Sequence, residues 1–94
     1  MAKAHSPLKK HIAGFIEYIR KQRGYSAHTI DAYQRDLARF EQYAIATFGE
    51  KLLKELMTKG VVRSFIFSLR DRNLKPRTVA RTVAAIKSFS KYCV

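Results

Sequence analysis

The chain has a single cysteine, Cys93, so no internal disulfide can staple it, and a lone thiol fits a reducing compartment. Cys93 falls on the apolar side of the last helical segment, where a free thiol serves as a small hydrophobe. No apolar run approaches membrane-spanning length, and the N-terminus lacks a signal-peptide core. The expectation is a soluble cytoplasmic domain with no membrane partner. Period-two runs of β-branched residues are missing, so no strand is expected. Gly14, Gly24, Gly49 and Gly60 stand apart, which leaves no phosphate-binding glycine loop. His5, His11 and His28 lack metal-ligand spacing with acids or cysteine, so neither a metal nor a cofactor is expected. The scarcest commodity is negative charge. Seven Asp and Glu face nineteen Lys and Arg, a net charge of +12 in 94 residues.

So large a charge in so short a chain costs self-repulsion and asks for an anionic partner. Nucleic acid leads, ahead of an anionic membrane surface. The hydrophobic fraction of 47% argues against disorder and for one small domain over residues 1–94. The charge is uneven along that domain. Residues 24–50 carry two Lys/Arg and four acids, whereas residues 76–94 carry four Lys/Arg and no acid.

Four helices are predicted from hydrophobic periodicity. The first opens with Ser6 as N-cap and Pro7 behind it, buries Leu8, Ile12, Phe15, Ile16 and Ile19, and ends toward Gly24. The second is capped by Ser26, buries Ile30, Tyr33, Leu37, Phe40 and Ala44, and stops at Gly49. Residues 51–57 read as a connection with one helical turn. Thr58 caps a third helix that buries Val61, Val62, Phe65, Ile66 and Leu69, and Asn73-Leu74 breaks it. The fourth starts at Pro76 and buries Val79, Val83, Ile86, Phe89 and Cys93. This predicts an all-α bundle of four helices with short connections.

Two segments repeat one another at a constant offset: Thr29 aligns with Thr78, Ile30 with Val79, Leu37 with Ile86, Phe40 with Phe89 and Tyr43 with Tyr92. Two copies are too few for a stacked array, so they read as paired helical hairpins. Opposite the buried stripe of the fourth helix, geometry at 100° per residue places Arg77, Arg81, Ala84 and Ser88, with Lys91 flanking. On the second helix His28, Arg35 and Arg39 point outward, with Ala32 and Gln42 between. Small residues (Ala32, Ala84, Ala85, Ser88) would let a helix sink into a major groove.

One anomaly sharpens this. Lys75 occupies the N-cap slot that Ser26 fills in the first copy, at a cost of about 1 kcal/mol against Ser. Arg77 in the first turn also opposes the helix dipole. A phosphate would reverse the sign, using backbone N–H groups and the Thr78 hydroxyl. Lys75-Pro-Arg-Thr78 is therefore read as a phosphate and groove-entry site. In the first copy the competing reading is plain surface pairing, since Arg35 has Asp31 one turn back and Arg39 has Asp36 three residues away. His28 and Thr29 correspond to Arg77 and Thr78.

The segment Tyr25-Ser-Ala-His-Thr-Ile-Asp-Ala-Tyr-Gln-Arg-Asp-Leu-Ala-Arg-Phe40 resembles the Ser-x-x-Thr-x-x-x-Tyr-x-x-Asp-Leu-x-x-Phe signature of the N-terminal core-binding domain of tyrosine recombinases, in the Xer and phage-integrase branch. Leu74 to Phe89 is similar to that domain's last helix. The resemblance implies a SAM-like fold of two crossed hairpins. It implies that the second and fourth helices grip one face of a recombination half-site on double-stranded DNA. By position it implicates His28, Thr29, Ala32 and Arg35 on one helix, and Lys75, Arg77, Thr78 and Arg81 on the other; with Ser26, Arg39 and Ser88 added from the reading of the helices themselves, these are the candidate DNA-binding residues. It further implies two kinds of protein partner, a C-terminal catalytic domain and other protomers of a synapse. None of the five tyrosines has an Arg and His constellation around it, so these residues are not expected to cut DNA, and the chain reads as a fragment of a longer recombinase. The competing readings are a standalone basic helical regulator and a protein-interaction module, for which Phe67 is the cleanest exposed apolar candidate.

Overall fold

A computed structural model describes residues 7–22, 24–49 and 53–93 of the chain. Among the described residues five helices follow one another: α1 (Pro7–Arg20), α2 (Ala27–Phe48), the single turn α3 (Leu53–Leu56), α4 (Lys59–Asp71) and α5 (Pro76–Cys93). The four long ones are the four predicted from periodicity, and α5 is the fourth of that series. Two of the boundaries are set by local side-chain chemistry. The Ser26 hydroxyl accepts the Thr29 N–H at 3.1 Å, and the Thr58 hydroxyl accepts the Val61 N–H at 3.1 Å. Asn73, with φ 59°, takes the left-handed conformation that turns the chain from α4 into α5. The cap expected at Ser6 lies outside the described residues.

α1 stops at Arg20, earlier than a Gly24 terminus implies. Lys21 and Gln22 tighten the end with bonds to the carbonyls of Tyr18 and Ile19, at 3.2 and 3.1 Å.

The hairpin of α1 and α2 packs against that of α4 and α5, with α2 lying against α5. Together they form an all-α SAM-like bundle. Leu8, Ile12, Phe15, Ile16 and Ile19 are all buried, as are Ile30, Leu37, Phe40 and Ala44, so the stripes of α1 and α2 hold as predicted except that Tyr33 is half-buried. Edge-on ring contacts knit the centre: Phe15 to Phe89 at 5.6 Å and Phe40 to Phe65 at 5.2 Å between centroids. The repeat partners Phe40 and Phe89 are both fully buried.

The face of α5 is rotated from the expected one. Thr82, Ala85, Ile86 and Phe89 are buried, while Val79, Val83 and Cys93 are half-buried. Three neighbours (α1, α2 and α4) enclose this helix, so no single stripe defines its inside. Ala85 is consequently core and unavailable to a groove. The buried Thr82 satisfies its hydroxyl by donating to the Thr78 carbonyl at 2.9 Å.

Candidate nucleic-acid interface

The two predicted contact helices, α2 and α5, lie against each other in the fold. Their exposed basic side chains are His28 and Arg35 on α2, and Lys75, Arg77, Lys87 and Lys91 beside or on α5. Arg35 shares a shallow groove with Asp31, Gln34 and Ala38, yet no carboxylate among the described residues lies within ion-pair distance of it. The pairing with Asp31 that the competing surface reading offered is therefore not formed. Ala84 is exposed between the cations of α5, and Ala32 is half-buried on α2.

The helix starts differ as their sequences imply. At α2, Ser26 both accepts the Thr29 N–H and donates to Thr29 Oγ1 at 3.0 Å, so the two hydroxyls form a closed cap. At α5, the Lys75 carbonyl accepts the Val79 N–H at 3.0 Å, but an ammonium side chain brings no acceptor for the first turn. Lys75 and Arg77 are exposed and Thr78 is half-buried there. That end of α5 carries uncompensated positive charge from both its side chains and its dipole.

The centre of the predicted surface departs most from expectation. Arg81 keeps 38% of its side chain exposed, but its guanidinium is turned back onto α2. Its Nε donates to Asp36 Oδ2 and its Nη2 to Asp36 Oδ1, both at 2.8 Å, joining α5 to α2 through residues 45 positions apart. Asp36 is wholly buried, and Arg39 adds a weaker contact to Oδ1 at 3.4 Å. The predicted Arg39–Asp36 pairing thus forms, as one arm of a larger cluster. The carboxylate bonds push the Arg81 guanidinium up, against the opposing pull of burial. Single-helix geometry missed this because the carboxylate arrives from α2. A signal existed in the sequence: Asp36 stands three residues after Tyr33 and four before Phe40, on the buried stripe. A carboxylate in that position needs a cation.

Ser88 is likewise half-buried, beside the Tyr33 hydroxyl on α2. Burial raises the Tyr33 phenol above its ordinary value, as do Tyr25 and Asp36 nearby, while the Ser88 hydroxyl partly offsets them. Sequence reasoning also passed over a cleft where the end of α1 meets the end of α5. Tyr18, Gln22, Tyr25, Lys91 and Tyr92 line it, with Tyr18 and Tyr92 in ring contact at 5.3 Å. Nothing local flags such a meeting of distant helix ends. Among the described residues no helix is long and apolar enough to cross a membrane.

Residues 12–94 match the family described as phage integrase, N-terminal SAM-like domain. The chain is 33% identical over 82 residues to the tyrosine recombinase XerC of Chlorobaculum tepidum, covering 83% of this chain and 24% of that protein. It is 36% identical over 83 residues to XerC of Roseiflexus castenholzii (87% of this chain, 26% of that one) and 35% identical over 81 residues to XerD of Listeria monocytogenes (86% and 27%). The chain thus spans about a quarter of the length of the curated relatives it matches. No solved structure matches it significantly. A family match over most of the chain, agreeing with an all-α SAM-like bundle, places it: this chain belongs to the phage integrase N-terminal SAM-like domain family.

Proposed function

We propose that this chain is the DNA-gripping module of a site-specific tyrosine recombinase of the Xer kind, laying α2 and α5 against one face of a recombination half-site. The observation that carries this is α5 itself. It has no acid over its length and three exposed cations, Arg77, Lys87 and Lys91, and it follows directly on Lys75, which brings no side-chain acceptor for its first turn. A DNA phosphate at that terminus would take up the free N–H groups, with Lys75, Arg77 and the Thr78 hydroxyl around it. On α2, His28 and Arg35 would flank the same groove, with Ala32 allowing close approach and the Ser26–Thr29 cap fixing the helix start. Lys87 and Lys91 extend the cationic face along α5.

The module binds and orients, and strand cleavage belongs to a catalytic domain of the parent recombinase. Phe67, exposed on α4 with the Arg70 guanidinium 5.7 Å from its ring centroid, offers an apolar contact for a neighbouring protomer.

An electrophoretic mobility shift with a salt series tests the reading. If five to seven phosphates are neutralised, the log–log salt slope is about −4.5 to −6. Arg77→Glu is expected to weaken binding far more than Arg70→Glu on α4. Equal losses from both would remove the defined docking face, and no shift of any duplex at low salt would refute DNA binding.

A further inference from the structure

We infer that Asp36 and Arg81 set the placement of α2 relative to α5 on DNA, with Arg81 a positioning residue acting through Asp36 and not a phosphate contact. The inference rests on the DNA-gripping reading and deepens it.

Four observations converge on this pair. Asp36 has no exposed surface, so its charge must be compensated inside the fold. Arg81 meets both carboxylate oxygens at 2.8 Å, a side-on bidentate geometry that fixes the plane of the guanidinium as well as its distance. The bond ties together the two helices proposed to enter the groove, where apolar contacts alone would tolerate sliding. Finally, Tyr33 of α2 lies beside Ser88 of α5, a second polar approach across the same pair of helices. Arg39, at 3.4 Å and through a single contact, holds Asp36 from within α2 but cannot register α2 against α5.

The sign of one substitution separates the possibilities. Asp36→Asn removes a negative charge, so electrostatics alone would tighten binding to duplex DNA. Loss of placement would weaken it.

The experiment measures affinity and salt slope on one duplex for the 94-residue chain, Asp36→Asn, Arg81→Lys, Arg81→Gln and Arg77→Gln, at a temperature where circular dichroism shows each fully folded. Asp36→Asn and Arg81→Lys are expected to bind about three- to thirtyfold more weakly, the range of coupling changes carried by a contact network. Arg81→Gln is expected to leave the salt slope unchanged, whereas Arg77→Gln flattens it by about 0.9. Tighter binding by Asp36→Asn, or a slope flattened by Arg81→Gln as much as by Arg77→Gln, would overturn the inference in favour of Arg81 as a DNA contact restrained by Asp36. Should Asp36→Asn not fold, Arg81→Lys decides, because it keeps the charge and loses only the fork; affinity equal to that of the unsubstituted chain overturns the proposal. Failure of the unsubstituted chain to shift any duplex overturns the DNA reading itself, and is told apart by preceding every comparison among variants.

Discussion

The hydroxyl of Tyr92 stands where a side chain on Gly14 would begin, 2.9 Å from the position of a Cβ there. Gly14 lies inside α1, where Ala would be favoured by about 1 kcal/mol on helix propensity alone. The ring of Tyr92 packs between Phe15 and Tyr18, at 5.5 and 5.3 Å between centroids, so moving its tip aside would disturb both ring contacts. Gly14→Ala is therefore expected to gain little or to destabilise. In a Tyr92→Phe background the nearest remaining atom is the ring carbon at 3.9 Å, and the same change should stabilise by about 1 kcal/mol. Chemical denaturation of the four proteins in this cycle gives the coupling, and simple additivity would contradict the account.

A second link ties α2 to α4. Ser64 donates its one hydroxyl proton to the Val61 carbonyl at 3.1 Å, so the Tyr43 hydroxyl, 2.6 Å away, donates to Ser64. Ser64→Ala removes the acceptor but leaves the half-buried phenol in place. A loss of about 0.5–1.5 kcal/mol is expected, and Tyr43→Phe added to it should cost little more. Urea unfolding curves with comparable m values decide this.

Alkaline stability follows from Tyr33 and Cys93, both raised above their ordinary values of 10.0 and 9.0, each first of all by burial. A raised pKa means the folded chain holds its proton more tightly than the unfolded chain does. The stabilisation is complete below the unfolded value and is lost as pH rises through the folded one. Unfolding free energy should thus begin to fall near pH 9 and fall further above pH 10. Tyr33→Phe should flatten the upper part of that decline and Cys93→Ser the lower part. A decline identical in both variants and the parent would assign it to other groups.

Much of the fold was legible because its determinants are local. Ser26 and Thr58 are caps whose partners lie three residues away, and the stripes of α1 and α2 follow from spacing alone. The acid-free α5 was equally plain. What spacing could not convey was which neighbour each face meets. Arg81 looks outward when α5 is drawn by itself, and only the arrival of α2 reveals Asp36 beneath it. Ala85 was misjudged for the same reason, since α5 is enclosed from three sides. The cations of the site could be counted from the sequence, but not sorted into those facing water and one already neutralised.

The buried carboxylate and its main neutralising guanidinium lie on different hairpins, which bears on how this domain could be cut or recombined. A fragment of α1 and α2 alone would keep Asp36 with only the 3.4 Å contact from Arg39, and a fragment of α4 and α5 would present Arg81 without its acid. Neither half is electrically whole. Hybrids that exchange one hairpin between relatives would therefore need to inherit positions 36 and 81 as a pair, making that pair a compatibility lock between the two halves.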